Sequence, residues 1–184
     1  AVSNDFIQEL EMPKRLPREL EKKVRGKKVV GYYGAIESWM DFSILRKILK
    51  DLERVQVVLI GPVNKTVEKD LISLKKFEKF VHVDQVEQEA LIPFLQRFDV
   101  CVIPFKVNKI TDAISPVKLY EYLAAGKPVI SSKMDVCKKI DAVSVASSKS
   151  DFVRLVEEAI IENSVEKVAA RKEYARHNTW EKRA

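Results

Sequence analysis

VVGYYGAIESWMDFSILRKILKDLERVQVVLIGP, residues 29–62, is the stretch on which the fold turns. Residues 29–33 (VVGYY) and Val55–Ile60 (VQVVLI) are short apolar runs, and residues 41–54 between them repeat their apolar positions at helical spacing, with Asp41 placed to cap. Each run is continuous rather than alternating. Such strands are buried on both faces, and they belong to parallel sheets covered by helices. Parallel neighbours need a crossover, and the intervening helix supplies it with the usual right hand. Gly34 ends the first run, and Gly61-Pro62 closes the second.

The same alternation continues downstream. A short helix over 65–74 precedes the strand Phe80–Val83, a helix over 87–97 precedes a strand over 99–104 (DVCVIP), and a helix over 116–125 precedes a strand over 128–131. A short element at 136–140, a strand at 142–146 and helices over 150–163 and 164–178 complete the pattern. This predicts an α/β fold over residues 28–184: a doubly wound, mainly parallel, Rossmann-like sheet. In such sheets ligands bind beyond the carboxyl ends of the strands. The loops that open at Gly34, Gly61, Asp84, Pro104 and Ser131 are therefore where a site is expected. Residues 1–27 lack this rhythm, carry Pro13 and Pro17, and read as a leader or interdomain linker. The chain opens at Ala1 rather than Met, as a fragment or processed product would.

Composition narrows the class. At 184 residues, 46% apolar and 33% charged, the chain has the make-up of one globular domain with some flanking sequence. No apolar run approaches the ~20 residues that span a bilayer, and no secretory signal opens the sequence. The two cysteines, Cys101 and Cys137, have no metal-ligand spacing, and with only His82 and His177 beside them a zinc site of His and Cys is not expected. A reduced, cytoplasmic setting fits. His82, inside an apolar strand, reads as structural. Residues 14–28 hold eight basic side chains against Glu19 and Glu21, so the whole net charge of +6 sits there. No aromatic residue interleaves with these charges, so bases have no stacking platform and nucleic acid is not an expected partner. The two readings left for the stretch are a solvated linker and a peripheral contact with an anionic membrane.

The chemistry concentrates in residues 115–132, SPVKLYEYLAAGKPVISS. Ser115 is suited to cap a helix, Pro116 to its first position and Gly126 to its end. That helix starts on the ligand-binding edge of the sheet. Its first turn offers the N–H groups of Val117, Lys118 and Leu119 at the positive end of the helix dipole, a ready anion site. Lys118 adds a cation. Glu121, one turn further, can accept hydrogen bonds from the two vicinal hydroxyls of a ribose. Phosphate at the tip and ribose one turn in describe a nucleoside diphosphate. The plainer alternative is a surface ion pair between Lys118 and Glu121 at i, i+3.

This segment resembles the nucleotide-binding segment in the C-terminal domain of GT-B glycosyltransferases, particularly those similar to glycosyltransferase family 4. Other pieces fall in the family's order: GYYGAIESWMD (31–41) resembles its first strand and glycine loop, VVLIGP (57–62) its second strand, FVHVDQVEQEALIPFLQRFDVCVIPF (80–105) its base-holding loop and following strand, and NTWEKRA (178–184) its closing Trp-containing helix. The resemblance covers about residues 29–184. It implies a donor-binding domain of a transferase that moves a sugar from a nucleoside-diphosphate sugar to a hydroxyl acceptor, a cell-surface glycan or lipid-linked molecule. The nucleotide sugar is substrate and no further cofactor is implied, with UDP favoured and GDP second. The partner implied is an N-terminal acceptor domain, without which residues 1–184 would be inactive.

By position, the resemblance gives Glu121 the ribose hydroxyls and the Val117, Lys118 and Leu119 amides the diphosphate. Gly34 would let phosphate or sugar approach the backbone, Gly61 lies on the same side, and Asp84, Gln85 and Val86 would contact the base. Two features depart from the family pattern. Ala113 stands where the first glutamate of the Glu-x7-Glu motif contacts the transferred sugar, and the loop after the first strand lacks the basic pair of many relatives. Lys118, with Lys106 or Lys109 from the long loop, would then carry the neutralisation of the diphosphate. Base, sugar, acceptor, stereochemical outcome, oligomeric state and catalytic residues stay open. The alternative class is a non-enzymatic nucleotide-sensing or receiver-like module, but the acidic cluster that a receiver needs at its strand ends is missing.

Overall fold

The Ser3 hydroxyl accepts the Phe6 N–H at 3.2 Å and starts a helix that the sequence pattern did not reveal. This is α1 (Asn4–Glu11), followed by α2 (Arg18–Val24), in a computed structural model that describes residues 1–112, 117–161 and 163–183. Phe6, Leu20 and Val24 bury themselves against the domain, and Val2 pairs with Thr179 near the other end of the chain.

From Lys28 the expected alternation appears. β1 (Lys28–Tyr33) is joined through α3 (Phe42–Asp51) to β2 (Val55–Ile60). Asp41 caps α3 by accepting the Ser43 N–H at 3.0 Å. A 3-10 turn, Lys65–Val67, leads into α4 (Glu68–Lys75), β3 (Phe80–Val83), α5 (Gln88–Arg97) and β4 (Val100–Ile103). The long connection after β4 contains a short helix, α6 (Lys109–Asp112), before α7 (Val117–Ala124). Ser115 and Pro116, expected at the start of that helix, and Ala113 lie outside the described residues. β5 (Val129–Ser131), α8 (Asp135–Lys138), β6 (Val143–Val145), α9 (Lys149–Ile161), α10 (Val165–Arg176) and α11 (Trp180–Arg183) follow.

The six strands form one parallel sheet in the order β3-β2-β1-β4-β5-β6. The fold is therefore α/β and Rossmann-like, and the order reverses between β1 and β4. Every residue of β2 and β4 is buried, as double-sided covering requires. β1 comes unusually close to what covers it at Gly31. A Cβ built there would stand 2.2 Å from the Phe98 ring, which is itself 2% exposed. The absent side chain thus makes room for an aromatic ring in the core.

Gly31→Ala should lower stability by roughly 1–3 kcal/mol, the cost of overpacking a filled core. Chemical denaturation reads this directly. An unchanged midpoint would mean that Phe98 can move aside.

Candidate functional site

The strand order places a crevice beyond the carboxyl ends of β1 and β4, where α/β sheets take their ligands. Two glycines shape its floor. Gly34 (φ +128°) accepts its turn from β1 by donating its N–H to Ile60 O at 2.9 Å, and Gly61 (φ +138°) donates to Val83 O at 3.0 Å. A Cβ on Gly61 would lie 2.3 Å from the carbonyl oxygen of Gly34, so the two turns stack backbone on backbone. A Cβ on Gly34 would lie 2.6 Å from Cε of Lys118. Glycine serves at both positions for conformation and for space.

The first turn of α7 brings Val117, Lys118 and Leu119 to this edge. Leu119 is buried in the core, Val117 is exposed, and the Lys118 side chain runs back over Gly34. The Lys118 ammonium sits 5.2 Å from the Tyr32 ring centroid and 5.8 Å from that of Phe105. It has no hydrogen-bond acceptor or ion-pair partner among the described residues. Burial pulls its pKa down, and the Glu121 carboxylate partly opposes that. The surface ion pair that spacing alone allows is not formed: no salt bridge joins Lys118 and Glu121.

Glu121 is engaged elsewhere. The Tyr33 hydroxyl, at the end of β1, donates to Glu121 Oε2 at 2.6 Å. Burial pushes the Glu121 carboxyl up, partly offset by the Tyr33 hydroxyl and the Lys118 ammonium. The Tyr33 phenol is itself held well above its usual range by burial and by the facing carboxylate, so it stays protonated and donates. Pattern reading named Glu121 but missed its tie to Tyr33. The only signal was the aromatic pair Tyr32-Tyr33 immediately before Gly34.

The remaining expected residues are more dispersed. Asp84 is fully exposed, Gln85 is exposed and Val86 is half-buried, all in the loop beyond β3, on the far side of β2 from the crevice. His82 links the two regions, one ring nitrogen lying 3.0 Å from the Gly61 carbonyl. Lys106, one of the cations expected to help, donates instead to the Ser38 carbonyl at 2.7 Å. With Asp41 N–H donating to Pro104 O at 2.7 Å, this straps the loop after β1 to the loop after β4. Lys109 is exposed on α6. Among the described residues no three His, Cys, Asp or Glu side chains gather as a metal site would require, and no helix is long and apolar enough to cross a membrane.

Residues 27–162 match the protein family described as glycosyl transferases group 1. TuaH of Bacillus subtilis (strain 168), provisionally named a teichuronic acid biosynthesis glycosyltransferase, is 22% identical over 158 residues, which cover 83% of this chain and 40% of TuaH. Among solved structures, the N-terminal domain of Candida albicans trehalose-6-phosphate phosphatase matches 99% of this chain and 46% of its own at 13% identity, with a TM-score of 0.73. Anabaena HepE, solved with UDP and glucose, matches 95% of this chain and 48% of its own at 13% identity, with a TM-score of 0.68. At these identities the structural likeness is one of fold. The chain spans about two fifths of TuaH and less than half of each of these solved chains.

Proposed function

The chain belongs to the glycosyl transferases group 1, and within that family we propose that it is the donor-binding half of an enzyme that moves a sugar from a nucleoside-diphosphate sugar to a hydroxyl acceptor. The observation that carries this reading is the unneutralised Lys118 ammonium at the start of α7, one turn before the Glu121 carboxylate, in the crevice where the strand order reverses. An anion over the first turn of α7 would meet the Val117, Lys118 and Leu119 amides and the Lys118 ammonium together. Glu121 would accept from the ribose diol. Gly34 and Gly61 would let phosphate or sugar lie against bare backbone, and Asp84, Gln85 and Val86 would edge the base.

In this reading the chain's residues work on the leaving group. As the bond from sugar to diphosphate breaks, negative charge grows on the diphosphate. A cation and helix amides already fixed in place stabilise that charge without reorganising. The loop after β1 has no basic pair to help, so this duty falls on Lys118 and the α7 tip. UDP is the favoured nucleotide, with GDP second, and the association of TuaH with teichuronic acid supports a cell-surface glycan or lipid-linked acceptor. Residues 1–27 would connect to an acceptor-binding domain, and the enzyme would work in the cytoplasm.

Membrane contact has its own structural support. α2 turns Leu20 and Val24 inward and leaves Arg18, Lys22 and Lys23 exposed beside Glu19 and Glu21, Lys22 pairing with Glu19 at 3.2 Å, with Arg25 following. Lys14, Arg15, Arg25 and Arg97 also line one open cavity of about 620 Å³. We infer that this face meets anionic lipid.

Calorimetry should show saturable binding of UDP, and Glu121→Gln should weaken it by ~10- to 150-fold, the equivalent of losing a hydrogen bond to a charged group at roughly 1.5–3 kcal/mol. No binding of any nucleoside diphosphate at millimolar concentration would remove the reading. Residues 1–184 by themselves should transfer no sugar from a radiolabelled donor, because attack requires donor and acceptor to be held together. Robust transfer by this chain alone would show that the acceptor site lies within it. Binding to vesicles containing phosphatidylserine should fall with added salt and with Lys22/Lys23 charge reversal. Equal retention on neutral vesicles would return α2 to a solvated surface.

A further inference from the structure

We propose that Tyr33 is the positioning residue for Glu121: its hydroxyl holds the carboxylate in place across the crevice, and through that hold it sets the site's preference for ribose over 2′-deoxyribose. This rests on the donor-site reading above and gives Tyr33 a role on Glu121 that neither motif spacing nor family resemblance supplied.

Tyr33 is clamped to α7 by three contacts. Its main-chain N–H donates to Tyr122 Oη at 3.0 Å, its ring meets the Tyr122 ring edge-on at 5.0 Å between centroids, and its hydroxyl reaches Glu121 Oε2 at 2.6 Å. Glu121 and Tyr122 are consecutive residues of α7, so one residue at the end of β1 fixes both. Tyr33 is 5% exposed and Tyr122 fully buried, which leaves the phenol little room to turn away.

A buried tyrosine needs some acceptor for its hydroxyl, and a carbonyl or amide oxygen would serve. A carboxylate in that place is costly to desolvate, and burial already pushes Glu121 toward its protonated form. An ionised carboxylate has about four acceptor positions, of which the phenol takes one. The others stay available to donors that arrive with a ligand. A vicinal diol brings two such donors, and a 2′-deoxyribose brings one fewer. The phenol therefore does two things for the diol: it pins the carboxylate side chain, and it favours the ionised form that accepts both hydroxyls.

The pH behaviour follows with a definite sign. Binding through Glu121 requires the carboxylate, so affinity is present above the carboxyl pKa and lost as pH falls through it. The groups acting on this carboxylate are the Tyr33 hydroxyl from β1 and the Lys118 ammonium from α7, both of which lower its pKa against burial. Tyr33 itself faces Tyr122 and, more distantly, Cys101, both neutral. Removing the Tyr33 hydroxyl lets burial prevail, and the acid limb of nucleotide binding moves to higher pH.

Titrating UDP and 2′-deoxy-UDP into the wild-type chain and Tyr33→Phe, across a pH series, tests the proposal. The wild type should prefer UDP by at least ~10-fold, the scale of one hydrogen bond to a charged group. Tyr33→Phe keeps the ring packing, and should narrow that preference to within about 3-fold while shifting the acid limb upward. Should Tyr33→Phe melt too early to assay, the same titrations in sucrose, which strengthens burial and raises its stability, keep the comparison available. A Tyr33→Phe protein that keeps both the wild-type preference and the wild-type acid limb overturns the proposal and leaves the donor site standing. A wild-type chain that binds UDP without preferring ribose also overturns it. A wild-type chain that binds no nucleoside diphosphate removes the donor site and this proposal together.

Discussion

The central strands of the parallel sheet are covered on both faces, and there only the ends of the strands are left for polar chemistry. β2 and β4 have no exposed side chain, and four of the six β1 positions at Val29, Val30, Tyr32 and Tyr33 are 5% exposed or less. A ligand cannot enter from either face without dismantling the core. The order β3-β2-β1-β4-β5-β6 then selects one place, because successive connections leave β1 and β4 toward opposite sides and open a crevice between their carboxyl ends. Gly34, Gly61, Lys118, Glu121 and Tyr33 all converge there. The location of the site is a consequence of how the apolar strands are buried.

What was legible in the sequence was what short-range pattern encodes. The run Val55–Ile60 could only be a buried strand, and the helix containing Lys118 and Glu121 announced its register by its spacing. The two helices within residues 1–27 were not legible. α1 fully buries only Phe6 and α2 only Leu20 and Val24, and helices this short gain their stability from docking rather than from their own propensity. Nor could spacing show where Glu121 turns. Its partner Tyr33 lies 88 residues away in the chain, and only the closure of α7 over β1 brings them together. The i, i+3 pairing of Lys118 with Glu121 was the local alternative, and tertiary contacts overrode it: aromatic rings flank the lysine and a phenol holds the glutamate.

Lys118 and Glu121 are opposite charges in one half-buried crevice that do not neutralise each other by direct contact. Burying charges is costly, and a mature ion pair would recover part of that cost at the expense of occupying both groups. Here each is stabilised in a way that leaves it usable. Rings flanking an ammonium attract it through their quadrupoles without filling its hydrogen-bond donors. A single phenol steadies a carboxylate while leaving acceptor positions open. Under the donor-site proposal, a ligand that brings an anion and a diol one helical turn apart would engage both groups at once.

The loop after β1 has no basic pair between Gly34 and Asp41. A cation from that loop would approach a diphosphate from the β1 side. In the donor-site proposal Lys118 would approach from α7 instead, and the lysine can lie low over the β1 turn only because residue 34 has no side chain. Gly34 in turn keeps its position because Gly61 lets the second turn press against it. Lys118 thus depends on two missing side chains, in the turns that follow strands β1 and β2. An alanine at 34 would press on the lysine itself, and an alanine at 61 would reach it through the Gly34 carbonyl, by raising the floor on which it rests.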